Sequence, residues 1–207
     1  MDQLQGSGPS ESSVGVRQRP ATSWVRAYVG RMRGSAKPAM DRPSPLAIVR
    51  ASGAAFVAIL AIAAPTLYLG LPTSAGLFLI GSFGATAVLL YAAPHSEFAQ
   101  PRNVIGGHVL SAFVGVSAYK LLDTHLGVAA ALAVAVSIAV MLLTQTLHPP
   151  AGAAALIAVL GPDSLHALGY RYPITPVLFG AVLMVLVAIV FNNLSADEQR
   201  HYPLTWH

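Results

Sequence analysis

The chain contains no cysteine. Disulfides, thiolate metal sites and cysteine nucleophiles are therefore excluded. Charge is nearly as scarce. Asp, Glu, Lys and Arg make up 10% of the 207 residues, whereas 55% are hydrophobic. Between Ala51 and Leu194 the charged side chains are Glu97, Arg102, Lys120, Asp123, Asp163 and Arg171. A body this poor in charge cannot clothe a water-facing surface, and it offers no basic face for nucleic acid. No nucleic-acid partner is expected.

In place of charge there are long apolar blocks: Leu46 to Tyr68, Ala75 to Ala93, Val104 to Leu121, Leu126 to Leu147 and Ile174 to Leu194. Each suits a hydrocarbon core of ~30 Å, so the sequence predicts an all-α membrane protein, a bundle of five to six transmembrane segments. A shorter block, Ala151 to Leu160, gives only about 15 Å of helix and is too brief to cross alone. Prolines 72, 94, 101, 162 and 173 mark the short connections.

Three regions follow. Residues 1–45 form a basic region, 46–196 the transmembrane domain and 197–207 a short polar tail. Met1 to Gly15 is rich in Ser, Gly and Gln and is expected to be disordered. Arg17, Arg19, Arg26, Arg31, Arg33, Lys37 and Arg42 then accumulate before the first block, which predicts a cytoplasmic N-terminus. Trp24, Val25, Tyr28, Val29 and Met32 share one helical face, consistent either with an interfacial amphipathic helix or with a plain basic tail. No apolar run typical of a cleavable signal peptide begins the chain.

The most informative segment is His148-Pro149-Pro150-Ala151-Gly152-Ala153. Two prolines interrupt an apolar run, and broken helices persist in lipid where protein or a water-filled cavity satisfies the freed backbone. Prolines suit a helix's first turn, so Ala151, Gly152 and Ala153 are expected to offer unpaired N–H donors at a helix start that attracts anions. Gly84-Ala85-Thr86-Ala87, followed by Pro94, echoes Gly152-Ala153-Ala154-Ala155, followed by Pro162, at an offset of 68 residues. At that offset the third block falls on the last. This reads either as two inverted three-segment repeats with paired interruptions at a binding site, or as chance likeness between small-residue helices. The segment Ser82, Phe83, Gly84 to Thr86 then becomes a second platform, unless its glycines merely permit close packing.

Ionisable groups inside a membrane span are functional by default, which singles out His148 and His108. Ser137, Thr144 and His148 make one polar stripe on the fourth block. Asn103, Gly107, Ser111 and Gly115 make another on the third, with His108 beside it. The stripes could line a pathway, or the histidines could close interhelical hydrogen bonds. Arg102 is a guanidinium at a pathway mouth or an interface anchor. Asn192 and Asn193 cap helices or line an exit.

These residues carry a resemblance. The run from His148 to Ala154 resembles the signature of the HPP family of integral membrane proteins. Gly81 to Leu90, Ala99 to His108 and Asn192 to Leu194 resemble its other motifs, in the family's order, covering roughly residues 46–205. His95-Ser96-Glu97-Phe98 is more polar than the family pattern, so no role is carried onto His95 or Glu97. Members in chloroplasts and cyanobacteria are associated with nitrite transport, and the resemblance implies transport of a small monovalent anion, nitrite first, rather than enzymatic catalysis. The expected substrate-binding residues are Ser82, Phe83, Gly84, Thr86, Arg102, Asn103, His108, Ser111, Thr144, His148, Ala151, Gly152 and Ala153. No cofactor or metal is expected. The alternatives are a histidine-based metal or redox protein and a non-transporting structural or sensory subunit. The expected setting is the lipid bilayer of a bacterial cytoplasmic membrane. The Gly- and Ala-rich helices favour close association, and so a homo-oligomer.

Overall fold

The computed structural model describes residues 25, 26, 28, 29, 32, 43–68, 81–194 and 201–206, without the side chains of 65–68. The chain divides into two compact units, 1–42 and 43–207. In the first, Val25, Arg26, Tyr28 and Val29 are helical and exposed. Trp24, the 1–15 segment and the remaining N-terminal basic residues, Arg17 to Arg42, lie outside the described residues, as do residues 75–80 of the second apolar block.

Among the described residues of the second unit, all regular structure is helical. Helix α1 is Pro45–Tyr68. Helix α2, Gly81–Ala87, runs on through a π-helical turn, Val88–Ala92. A 3₁₀ turn, Glu97–Ala99, leads into α3, Pro101–Leu122. Then come α4, Leu126–Leu143, α5, Ala151–Leu160, and one short turn, α6, Asp163–His166. A 3₁₀ turn at Gly169–Arg171 and a π turn at Pro173–Leu178 precede α7, Phe179–Asn193.

Among the described residues, four stretches are long and apolar enough to cross a membrane: Pro45–Ala64, Pro101–Leu122, Leu126–Leu143 and Gly169–Asn193. The 22 residues of α3 extend about 33 Å at 1.5 Å per residue, enough for the hydrocarbon core. Among the described residues, Gly81–Ala92 and Ala151–Leu160 are the shorter apolar helices. Their ends, Ala92 and Leu160, stand at the offset seen in the sequence. So do Pro94 and Pro162 after them, and the starts of the following spans at Pro101 and Gly169. The two short helices also pack against each other.

Helix α3 sits at the centre, against α4, α5 and the Pro173–Leu178 turn. It achieves this closeness with small residues, as membrane helices do where dispersion must replace the hydrophobic effect. Gly107, Ser111, Ala112, Gly115 and Ala118 are buried on α3, facing a partner set that includes Ala129, Ala130 and Ala133 of α4 and Ala151, Ala154, Ala155 and Ala158 of α5. A Cβ on Gly115 would fall 2.5 Å from the Ala155 carbonyl oxygen, so only glycine permits that crossing. Helix α1 packs on α7 and on the π turn that ends α2.

The fourth apolar block does not continue as helix to Leu147. Helix α4 stops at Leu143, and Gln145 takes a left-handed φ of 55°. The Thr146 N–H donates to Met141 O at 2.9 Å and the Gln145 N–H to Leu142 O at 3.3 Å, a Schellman closure. His148 therefore stands on a turn beyond the helix rather than on a stripe with Thr144.

Within the polar tail, the described residues 201–206 are docked. Tyr202 is buried and its phenol donates to Ala99 O at 2.8 Å. The Tyr202 N–H donates to Asn193 Oδ1 at 3.1 Å, and Asn193 Nδ2 donates back to Tyr202 O. The Leu204 N–H donates to Gln100 Oε1 at 2.8 Å. Burial raises the Tyr202 phenol above its ordinary pKa, which keeps it a donor.

Candidate functional site

The site begins at the break. The carbonyls of His148, Pro149 and Pro150 accept from the N–H groups of Ala151, Gly152 and Ala153 at 2.9, 3.2 and 3.1 Å. The expectation of free N–H donors there is thus corrected: the prolines impose a tight i→i+3 turn that uses those donors internally. The side chain of His148 then becomes the polar group that the break presents to the bundle.

Two residues of α3 clamp the approach to the break. Asn103 Nδ2 donates to Leu147 O at 2.9 Å, and Arg102 Nη2 donates to Thr144 O at 2.7 Å, capping the end of α4. Gly107 lies under the same turn. A Cβ there would come within 2.7 Å of Thr146 O and 2.8 Å of His148 Cβ. The α3 stripe therefore faces the end of α4 at Asn103 and Gly107, while Gly115 faces α5.

At the centre, three side chains from three segments meet. Thr86 of α2, His108 of α3 and His148 at the break are each fully buried. Thr86 Oγ1 is 2.9 Å from His148 Nε2 and 3.3 Å from His108 Nε2, and it lies 2.9 Å from Ser82 O, to which it can donate. The imidazole centroids are 4.8 Å apart, and Phe83 covers His108 at 5.4 Å. Each Nδ1 faces a carbonyl: Val104 O at 2.8 Å for His108 and Phe98 O at 2.7 Å for His148. A carbonyl oxygen only accepts, so both Nδ1 atoms carry protons. Both Nε2 atoms then turn lone pairs toward the threonine hydroxyl.

Polar groups flank this centre. Ser82 is one turn before Thr86, and Ser111 is three residues beyond His108, positions that share a helical face. Both hydroxyls are buried without a hydrogen-bond partner, as is that of Ser137 in α4.

The candidates drawn from sequence thus separate. Ser82, Phe83, Thr86, His108, Ser111, His148 and Ala151 are buried in the centre of the bundle, Gly152 and Ala153 are half-buried on α5, and Asn103 steadies the break. Arg102 and Thr144 are exposed at its outer end. Gly84 is exposed on the opposite face of α2, lining an apolar groove between α1 and α2 of about 580 Å³. Asn192 donates to Leu90 O at 3.0 Å, tying α7 to the π turn. Sequence reasoning did not anticipate the Phe98 and Val104 carbonyls that orient the rings, since a backbone acceptor has no side-chain signature. Gln100 and Tyr202, which fasten the Glu97–Ala99 turn carrying Phe98, were also missed. Gln100 Nε2 donates to Ser96 O at 2.9 Å and to Pro94 O at 3.1 Å.

With this geometry in hand, comparison decides the family. The family description "HPP, transmembrane region" matches residues 40–203. The chain belongs to the HPP transmembrane family. It is an integral membrane protein, and the Thr86–His108–His148 cluster uses the tripeptide from which the family takes its name. A transmembrane protein of Dictyostelium discoideum is 48% identical over 131 residues, covering 62% of this chain and 45% of that relative. A second from the same organism is 42% identical over 133 residues, covering 63% of this chain and 42% of the relative. The chain spans less than half the length of these curated relatives. No solved structure matches.

Proposed function

We propose that this HPP protein transports a small monovalent anion, nitrite first among the candidates, and that the ion passes beside Thr86, His108 and His148. The observation that carries the reading is the complete burial of two imidazoles and a threonine hydroxyl on one point of a lipid-embedded bundle. Such groups are costly in a membrane and are retained where they serve a pathway. The unpaired hydroxyls of Ser82 and Ser111 supply neutral donors alongside.

The arginines before the first span favour a cytoplasmic N-terminus, and the proposed setting is a bacterial cytoplasmic membrane. The small-residue helices favour a homo-oligomer. Transport without catalysis is the reading. The test is nitrite flux into liposomes containing the purified chain, against empty liposomes. Saturable flux is expected, competed by formate or nitrate. Absence of flux from correctly inserted protein would leave a structural or sensory subunit. The convergence of two imidazoles favours a bound metal as the second reading; among the described residues no group of three His, Asp or Glu side chains forms. Metal analysis of the same sample separates the two.

A further inference from the structure

The cluster at Thr86 holds fewer protons than its geometry has places for. Three acceptors surround Thr86 Oγ1: Ser82 O at 2.9 Å, His148 Nε2 at 2.9 Å and His108 Nε2 at 3.3 Å. The hydroxyl has one proton to give. With both Nδ1 atoms committed as donors to the Phe98 and Val104 carbonyls, the rings cannot change tautomer without losing those bonds. Among these three side chains at least one Nε2 lone pair therefore has no donor, and an unpaired buried acceptor is costly.

One added proton resolves the shortage. Protonated at Nε2, either ring donates to a free lone pair of Thr86 Oγ1, whose own proton then serves the other ring. All three side chains are satisfied by that single proton. An imidazolium alone in lipid is unfavourable, but an imidazolium beside a monovalent anion is neutral overall.

We propose that Thr86, His108 and His148 form a binding site for one shared proton, taken up together with the transported anion. This rests on the anion-transport reading and specifies it as proton-coupled. The balance is simple: one proton adds to one imidazole Nε2 on entry and leaves it on release, and no covalent bond to the anion forms. No other described titratable side chain hydrogen-bonds to these three; half-buried His166 instead stacks on Tyr119 and faces Val159 O. Tyr91 and Tyr172 donate to Met184 O and Ala154 O, and Tyr202 to Ala99 O. Glu97, Asp123, Asp163 and Arg102 are exposed, and α4, α5 and α7 carry no charged side chain.

The test uses the full chain in liposomes loaded with a pH-sensitive dye, with the membrane potential clamped and nitrite assayed chemically. Protein-free liposomes correct for passive entry of the free acid. Co-entry of one proton per nitrite is expected. Nitrite flux with no accompanying proton overturns the coupling while leaving transport intact. If nitrite does not move, the transport reading fails, and ¹⁵N NMR of the histidine side chains in nanodiscs decides the proton site by itself. There the expected result is two Nδ1–H neutral rings that take up one proton between them as a single step, abolished in Thr86→Val. Two rings that titrate independently, or that both remain neutral with nitrite present, overturn the shared site.

Discussion

Gly107 lies directly beneath His148: a Cβ added to the glycine would sit 2.8 Å from that of the histidine, and 2.7 Å from Thr146 O. The backbone of α3 thus sets how deeply the break enters the bundle. Gly107→Ala should force the turn outward and destabilise the protein by about 1–3 kcal/mol, the usual range for overpacking. Gly53→Ala is the control, since nothing lies within 4 Å of its Cβ position on α1. It should be neutral or stabilising by about 0.5–1 kcal/mol, as alanine favours helix over glycine. Thermal unfolding in detergent compares the two. Equal midpoints would mean that the crossing at Gly107 is looser than described.

The two α3 contacts to the break have separable effects. Asn103→Ala removes the donor to Leu147 O, at a cost of about 0.5–1.5 kcal/mol. It should also speed hydrogen exchange at Ala151 and Gly152. Arg102→Gln loses the cap on the last turn of α4, worth about 0.3–1 kcal/mol at an exposed site. If Arg102 also gathers anions at a mouth, its loss should raise the half-saturation concentration and flatten its dependence on salt. An unchanged concentration dependence would limit Arg102 to capping.

Tyr202 offers a test of the docked C-terminus. Tyr202→Phe removes the bond to Ala99 O and should cost about 1 kcal/mol. Tyr202→Ala also empties a buried site, at about 3–5 kcal/mol. Both should lower the unfolding midpoint, in that order. A chain ending at residue 200 with undiminished stability would show that the contact contributes nothing.

These residues also mark what the sequence could reveal. Block lengths and prolines located most helices, because the bilayer fixes length and proline fixes where a helix can start. The pairing of Thr86 with His148 was approachable through the offset between the two glycine-containing segments, which the fold places in contact. Other features follow from single contacts with no periodic signal. Gln145 ends α4 in a conformation usually left to glycine, so the pattern ran on to Leu147. Tyr202 is one aromatic in a polar stretch. The N–H groups of Ala151 to Ala153 read as free because proline was known to open a helix, whereas here the same prolines close a turn upon them.

Proton coupling has a sign that can be measured. If one proton enters with each anion, lowering the pH should strengthen apparent nitrite affinity, by up to about tenfold per unit, since linked ligands favour each other reciprocally. His148→Gln should flatten the effect. Flux that instead increases with pH would contradict co-uptake.

The sharpest prediction joins substitutions at three positions that test the same point by different means. Thr86→Val keeps the shape but removes the hydroxyl between the imidazoles, so the one proton they share and the oxygen that would accept from a protonated ring are both lost. Flux should fall strongly, and Thr86→Ser should restore much of it. His148→Ala removes a donor available to the protonated cluster. A hydrogen bond to a charged group is worth about 1.5–3 kcal/mol, so affinity should drop roughly ten- to a hundredfold. Gly152→Val probes the neighbouring half-buried face of α5, where an added Cβ meets nothing within 4 Å. In correctly inserted protein, a loss of flux would come from bulk placed on that face. Proteoliposome assays of all three, with insertion checked by protease protection, give a clear contrast. Nitrite carried by His148→Ala and Thr86→Val as well as by the parent would mean that the buried cluster only holds the helices together.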